Sequence, residues 1–189
     1  MKRLLTIIAF TTWWVTLYAN PADNKETAEA ALAQIRAQIA HEQQTGNIEK
    51  ESEARWQKIL AMKNFSLTKE LVEEADVQME WFRKNDQWDN FYRTWQLKAN
   101  SMSSLGKLQP ALQETQRMLS DAKERDNKLG RAMAYKQIGI IYLNMKQTEP
   151  AVEALKHYAE LMKDEDDFNS LSNIYYRMAK AYDYDKKIS

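Results

Sequence analysis

The sequence contains no cysteine and has little glycine or proline. The lack of cysteine excludes disulfides, thiolate catalysis, thiolate metal sites and the N-terminal cysteine on which bacterial lipoproteins are anchored. Four glycines and three prolines in 189 residues leave little material for strand turns or phosphate-binding loops. Alanine, leucine, lysine, glutamate and glutamine are abundant instead, and all five favour helix. We therefore expect an all-α protein that is stabilised by packed apolar surface.

An excess of charge of one sign is lacking as well. The 27 basic side chains balance the 27 acidic ones, and neither sign forms a long block that could follow a phosphate backbone. We therefore expect no nucleic-acid partner.

Histidine is scarce. The two histidines, His41 and His157, have no second imidazole at the spacing that zinc ligands show. Glu153 and Glu160 lie one helical turn from His157, which predicts ordinary pairing on a helix surface. We expect a surface or interface role for both histidines.

Two further clusters have a simple structural explanation. The acidic run Asp164 to Asp167 lacks the glycine and glutamate of a calcium-binding EF-hand loop, and acidic side chains just before a helix cap its free N–H groups. Ser101, Ser103 and Ser104 have no nearby base and are expected on a helix surface. The sequence thus predicts no catalytic residue, no metal site and no cofactor.

Residues 1–20 have the pattern of an export signal. Lys2 and Arg3 form a short positive region, residues 4–17 are uncharged and mostly apolar, and Ala19 offers a small residue for cleavage. The apolar stretch is shorter than the roughly 20 residues that a spanning helix needs. We expect a cleaved signal peptide, with an uncleaved signal anchor as the alternative. Either one places the rest of the chain in the periplasm or on the extracytoplasmic face of the inner membrane.

Residues 21–85 predict a set of N-terminal helices. Alanine and isoleucine recur at helical spacing from Asp23 to Gln44, and Gly46 follows as a stop. A second apolar stripe breaks at Lys63-Asn64 and then resumes, which predicts a helix hairpin. This hairpin is a candidate for a degenerate copy of the repeat that follows, with Trp56 one residue out of register.

Residues 86–189 repeat with a 40-residue period. Each copy has an aromatic residue, then a small residue and a second large residue on one helix face, and two copies share a Pro-Ala pair in the partner helix. These are Trp95, Tyr135 and Tyr175; Ala99, Gly139 and Ala179; Met102, Tyr142 and Tyr182; and Pro110-Ala111 and Pro150-Ala151. The small residue allows the second helix of a hairpin to approach closely. Each proline suits the first turn of that second helix, and Gly106 suits the turn before it.

This pattern resembles the tetratricopeptide repeat, and its best copy runs from Tyr135 to Tyr142 and continues in Ala151 and Leu155. The resemblance implies a right-handed superhelical stack of antiparallel helix hairpins, an α-solenoid. Because the family period is only about 34 residues, we expect the added residues in the connections around Asp126-Asn127 and Asp164 to Asp167. HEAT repeats have a similar length but lack the aromatic-to-glycine spacing.

Ligand contacts in the tetratricopeptide family come from fixed positions on the first helix of each hairpin, along a concave groove. The resemblance carries these positions onto Arg93, Gln96, Asn100 and Ser104; Met133, Lys136, Ile140 and Asn144; and Asn173, Tyr176, Lys180 and Tyr184. The set is polar and amphipathic. The alternative is an ordinary solvated helix face.

Trp81, Trp88 and Trp95 recur every seven residues. Core packing is the favoured explanation, and an aromatic binding wall or a dimer seam is the alternative.

An export signal followed by long-period repeats of this kind resembles the periplasmic sensor regions of membrane histidine kinases in Gram-negative bacteria. The resemblance implies an interaction module for a peptide, protein or small ligand, serving a receptor of the two-component type. Any kinase activity would lie outside this sequence, so we expect no enzyme here. The alternative is a free-standing periplasmic scaffold for envelope proteins. Membrane attachment would require an uncleaved signal or a downstream helix, and a homodimer is compatible with either role.

Overall fold

The computed structural model describes residues 21–164 and 168–186, and these residues form eight α-helices with no strand among them. The helices are α1 (Pro21–Thr45), α2 (Ile48–Asn64), α3 (Thr68–Lys84), α4 (Trp88–Ser104), α5 (Leu108–Glu124), α6 (Lys128–Asn144), α7 (Thr148–Met162) and α8 (Phe168–Lys186). The all-α expectation is confirmed. Residues 1–20, which carry the predicted export signal, lie outside the described part.

Helices α2 to α8 begin at evenly spaced positions, from Ile48, Thr68 and Trp88 to Phe168. Each of α2 to α6 has 17 residues, and a short turn of constant length connects it to the next helix. The residue with a left-handed backbone recurs at the same interval. The six are Gly46 (φ 68°), Ser66 (59°), Asp86 (55°), Gly106 (76°), Asp126 (49°) and Lys146 (58°). The regular unit is therefore one helix and one turn, and it starts well before residue 86.

The same turn ends each of these helices. The N–H of the residue after the left-handed one donates to the carbonyl five positions earlier, as Leu67 does to Met62 at 2.9 Å and Gln147 to Tyr142 at 2.9 Å. This is the Schellman arrangement, which satisfies the free carbonyls at a helix end. Glycine takes the left-handed position without steric strain, but only two of the six turns have it.

The added length of the repeat lies in the helices. The expectation of a longer connection around Asp126-Asn127 is wrong, because residues 125–127 form the same short turn as residues 105–107. The helices on either side of this turn each have 17 residues. A family repeat of about 34 residues with two turns of the same length would have room for only about 14 residues in each helix. Of the other expected insertion, Asp164 to Asp167, only Asp164 lies within the described residues.

Apolar packing runs through the described helices from α1 to α8. Consecutive helices contact each other, and α4 also touches α2 and α6, its neighbours two helices away. The buried residues form four clusters that overlap along the array. They lie between α1, α2 and α3, then between α3, α4, α5 and α6, then between α5, α6 and α7, and last between α6, α7 and α8.

The steric predictions for the hairpins are confirmed. A Cβ at Gly139 would lie 2.6 Å from Leu155 Cγ and 3.2 Å from the Ala151 carbonyl oxygen, so only glycine allows α7 to approach this closely. Pro110 and Pro150 are each the third residue of their helix, α5 and α7, where their missing N–H costs no helical hydrogen bond.

Candidate functional site

Four helices carry the predicted ligand-contacting positions or their equivalents. We call α2, α4, α6 and α8 the first helices and α3, α5 and α7 the second helices. Most predicted residues are exposed: Arg93, Asn100, Ser104, Asn144, Asn173, Tyr176 and Lys180. The others that the structure describes, Gln96, Met133, Lys136 and Ile140, are half-buried, and the side chain of Tyr184 lies outside the described part. We call the surface that these positions form the first-helix face.

One row of side chains on this face, which we call the α2 rung, was not predicted from the sequence. One repeat unit before the α4 positions stand Glu53, Trp56, Leu60 and Asn64, and all four are exposed or half-buried on α2. Trp56 was compared with Trp95, from which it is one residue out of register. It is instead in register with Gln96, and Arg55 holds the buried position that corresponds to Trp95. The 40-residue period itself, which sets Trp56 level with Gln96 and Lys136, is the signal that shows this register.

Hydrogen bonds between side chains join neighbouring first helices. The amide of Asn90 on α4 donates to the hydroxyl of Ser52 on α2 at 2.9 Å. The amide of Asn144 on α6 donates to the hydroxyl of Ser103 on α4 at 3.2 Å. Asn144 is therefore both a member of the first-helix face and a link between α6 and α4.

The serine expectation needs a correction. Ser101 and Ser103 are both 8% exposed, and only Ser104 lies on the helix surface as expected. Ser103 is buried because it faces α6 and accepts the Asn144 hydrogen bond. Helical spacing shows that these residues differ in direction, but it does not show which direction a neighbouring helix covers.

The remaining predicted residues differ in how free they are to meet a ligand. The ammonium of Lys136 lies 5.3 Å from the ring centre of Tyr158, which is buried, so part of its charge is already engaged. Lys180 lies 5.4 Å from the ring centre of Tyr176, and both remain exposed. Arg93 and Asn100 project from α4 about two helical turns apart and are exposed.

A cluster of polar side chains is buried between α2 and α3. The Arg55 guanidinium donates to the Glu51 carboxylate at 2.8 Å and to the Gln78 side-chain oxygen at 2.8 Å. The Gln78 amide in turn donates to Glu74. The guanidinium also lies 4.5 Å from the ring centre of Trp81. Because every member has a partner, this cluster fixes one helix against the other and offers no free acid or base.

A similar set of polar contacts joins α3, α4 and α5. The Lys98 ammonium lies 2.7 Å from an Asp76 carboxylate oxygen and 3.6 Å from a Glu114 oxygen. Glu114 also accepts the indole N–H of Trp95 at 2.9 Å. Each charge is again neutralised by a neighbour on another helix.

Tyr92 is held in a third polar contact. Its hydroxyl donates to the Asp121 carboxylate at 2.6 Å, and the Arg125 guanidinium lies 3.1 Å from the same carboxylate. Burial raises the pKa of the Tyr92 hydroxyl well above its usual range, and the hydrogen bond to Asp121 raises it further. Tyr92 is therefore a fixed hydrogen-bond donor.

The three recurring tryptophans pack against the core. Trp81, Trp88 and Trp95 are half-buried, and all three contact the cluster that includes Phe82 and Phe91. The Phe91 ring meets Trp88 and Trp95 edge-on, with centroids 5.6 and 5.4 Å apart. Core packing, the favoured explanation, is confirmed.

The histidine prediction is right about position and wrong about partners. His41 and His157 are exposed. His157 stacks on the Tyr135 ring at 4.7 Å, whereas Glu160 pairs with Lys163 at 2.6 Å. The reason is that His157 on α7 faces α6, where the aromatic register of the repeat places Tyr135.

Within residues 21–164 and 168–186, no three histidine, aspartate or glutamate side chains converge as metal ligands do. No helix in this part is long and apolar enough to cross a membrane. No protein-family model matches the sequence, and a search of curated proteins finds no match. Function must therefore be inferred from the geometry of the helices.

Proposed function

We propose that this chain is a tetratricopeptide-like interaction module whose first helices line a concave groove that binds a peptide segment of a partner protein. A superhelical stack is the expected result when one helix–turn unit is repeated with little variation, and the resemblance to the tetratricopeptide repeat implies that the superhelix is right-handed. The constant spacing of the helices and the six equivalent turns support that arrangement. Contacts of α4 with both α2 and α6 support a continuous row of first helices.

One observation carries the proposal. Exposed polar and aromatic side chains stand in register on the first helices α4 and α8, while the buried charges of Arg55 and Lys98 are paired with carboxylates. Arg93 and Asn100 on α4 and Tyr176 and Lys180 on α8 are all exposed at the predicted positions. Long side chains on regularly spaced helices suit an extended ligand, because successive residues of the ligand can contact successive first helices. The basic members favour a ligand segment with acidic groups.

We further propose that the module serves as the sensing region of a receptor of the two-component type outside the cytoplasm. The support is the resemblance of the whole sequence pattern to such sensor regions and the signal-like residues 1–20. A reading frame that continues into a membrane helix and a kinase is the expected result of sequencing the gene further. A frame without them would favour the free-standing scaffold instead.

Peptide selection tests the groove directly. Random peptides displayed on phage would be selected on the purified chain and then tested against the double variant Arg93→Glu/Lys180→Glu. Both side chains are exposed, so the fold should persist. We expect binding to fall at least tenfold, about 1.4 kcal/mol.

The matched control reverses two exposed charges on second helices, with Arg117→Glu on α5 and Lys156→Glu on α7. It alters the net charge equally and should leave peptide binding unchanged. The groove would be rejected if only the control pair lost peptide binding, or if both double variants bound the peptides equally well. Circular dichroism of both variants would verify that the helices are intact.

A further inference from the structure

Three residues hold the same place on consecutive first helices. Leu60 on α2, Asn100 on α4 and Ile140 on α6 follow one another at the 40-residue period of the repeat. Leu60 and Ile140 are half-buried, whereas Asn100 is exposed. We call these three residues the central row of the first-helix face. It consists of two aliphatic side chains with an amide between them.

Each aliphatic member of the central row has an apolar neighbour on its own helix. Trp56 lies one helical turn before Leu60 and is half-buried. Met133 lies about two turns before Ile140 and is half-buried as well. The first-helix face therefore presents apolar surface on α2 and again on α6.

The surface of α4 between these two places is polar. Gln96 stands one helical turn before Asn100, and Arg93 precedes both. The side-chain amide of Asn100 bonds to no other described residue, and Arg93 forms no ion pair within the described ranges. A side-chain amide has both a donor and an acceptor, so it can bond one peptide group of a ligand. A guanidinium without a partner is suited to a ligand carboxylate.

The charges of the neighbouring helices show where along the ligand that carboxylate would lie. The place of Arg93 is taken by Glu53 on α2 and by the uncharged Met133 on α6. Glu53 is exposed, and its carboxylate already accepts the amide of Gln57 at 2.6 Å. It would repel an acidic ligand group. A ligand carboxylate is therefore favoured beside α4, between the two apolar places.

The spacing of the first helices sets the spacing of the ligand side chains. Packed helices lie about 8–10 Å apart, and α4 touches both α2 and α6. Leu60 and Ile140, two helices apart, are thus separated by about 16–20 Å. An extended chain advances about 3.3 Å per residue, and its side chains alternate between two sides. An even number of residues is required, and six residues span about 20 Å.

We propose that the first-helix face binds an extended segment of a partner protein with two large apolar side chains six residues apart and an acidic residue between them. One apolar side chain packs against Leu60 and the other against Ile140. Between them, Asn100 bonds the ligand backbone and Arg93 pairs with the carboxylate. This inference rests on the proposed function and adds the chemistry of the ligand to it.

Synthetic peptides test the spacing. Labelled peptides of serine and threonine would carry two leucines five, six or seven residues apart and one aspartate between them, and fluorescence anisotropy would measure their binding to the full chain. We expect the six-residue spacing to bind at least about tenfold more tightly, because an odd spacing turns one leucine away from the face. Lysine in place of the aspartate should weaken binding. Equal binding at all spacings, or no binding at any, would overturn the proposal.

Charge changes at the two aliphatic residues test which part of the ligand each one contacts. Leu60→Lys and Ile140→Lys should each weaken binding of the six-residue peptide. Glutamate in place of one ligand leucine should restore binding to Leu60→Lys, and glutamate in place of the other leucine should restore it to Ile140→Lys. The matched control is Val77→Lys on α3, where the valine is 61% exposed and lies outside the face. It should bind like the native chain.

The outcome that contradicts this assignment is rescue of both lysine variants by the same peptide, or a loss in Val77→Lys as large as in the other two. Circular dichroism would verify that the helices are intact. If a lysine prevents folding, Leu60→Ala and Ile140→Ala remove most of the apolar contact without adding a charge. Each should then weaken binding by about tenfold, and unchanged binding would contradict the proposal.

Peptides selected from the random library separate this proposal from the groove itself. Selected peptides that depend on Arg93 and Lys180 but not on Leu60 or Ile140 would leave the groove in place and refute the ligand chemistry. Peptides that depend on all four residues and share two apolar residues six positions apart would support both. A chain that selects no peptide would refute both.

Discussion

The guanidinium carbon of Arg55 lies 4.5 Å from the ring centre of Trp81, at a point in its hairpin where the next hairpin has the indole of Trp95. A charged side chain thus stands where the repeat otherwise has an aromatic ring. It is accommodated because Glu51 and Gln78 accept its hydrogen bonds. The planar guanidinium can stack on the indole and donate to both partners at once, which a lysine could not do.

Removing Arg55 should destabilise the chain strongly. The variant Arg55→Met leaves the buried Glu51 carboxylate and the Gln78 oxygen without their donor, and loss of one member of a buried pair costs about 3 kcal/mol. Urea unfolding followed by circular dichroism would measure the change. The control Arg83→Met breaks the exposed pair with Glu80, and should have little effect because such pairs contribute little.

A double variant separates the lost pair from lost packing. Arg55→Met/Glu51→Met removes both charges and should recover most of the stability, since apolar residues of similar size often replace buried ion pairs without cost. If Arg55→Met were as mild as Arg83→Met, the buried pair would have no special role.

Close packing explains which parts of the fold the sequence could reveal. Gly139 and Tyr135 have a small and an aromatic counterpart on α4, Ala99 and Trp95, because close helix contact leaves few residue types that fit. The left-handed turn positions carry no such constraint. Ser66 and Lys146 occupy the same backbone conformation as Gly106, so the unit of one helix and one turn is hidden in the sequence although it is regular in space.

The candidate site was predicted by carrying the ligand-contacting positions of the tetratricopeptide family onto this sequence in register, and register has limits. It located Arg93 and Lys180 on exposed helix faces. It could not indicate that Asn144 bonds to Ser103, because that contact depends on the distance between two helices that are far apart in the chain. Register also missed the α2 rung. Arg55 stands where the next repeat has Trp95, so the neighbouring Trp56 was compared with Trp95 and was one residue out of register.

Substitution of Gly139 should show how tightly α6 and α7 pack. Gly→Ala in a helix normally stabilises by about 1 kcal/mol, but here the new Cβ would collide with Leu155. We expect Gly139→Ala to destabilise by about 1–3 kcal/mol. A double-mutant cycle with Leu155→Ala, measured by urea unfolding, checks the cause. Leu155→Ala should cost less in the Gly139→Ala background than in the native chain, and additive effects would contradict the collision.

The turns should respond to glycine in a predictable direction. Ser66 has a φ of 59°, which strains any residue with a Cβ, so Ser66→Gly should raise stability by about 0.5 kcal/mol. Gly106→Ser is the reverse change in an equivalent turn. Nothing lies within 4 Å of a Cβ at Gly106, so its loss of about 1 kcal/mol would come from the backbone alone. Thermal unfolding of both variants tests this, and shifts in the same direction would disprove the backbone explanation.

The contact between Tyr92 and Asp121 predicts a change in stability at alkaline pH. Burial and the hydrogen bond raise the pKa of Tyr92 in the folded chain, whereas the unfolded chain ionises this tyrosine near pH 10. Above that pH the unfolded state releases the proton first, so the free energy of unfolding falls by up to about 1.4 kcal/mol for each pH unit.

The variant Tyr92→Phe isolates this effect. At neutral pH it should cost about 1 kcal/mol, the value of one hydrogen bond, while Asp121 keeps its contact with Arg125. As the pH rises above about 10, the native chain should lose this advantage, and the two unfolding free energies should converge. Asp121→Asn, which weakens the acceptor but retains the hydroxyl, should give an intermediate pH slope. Parallel curves for native and Tyr92→Phe chains would mean that Tyr92 ionises equally in both states, contrary to its buried hydrogen bond.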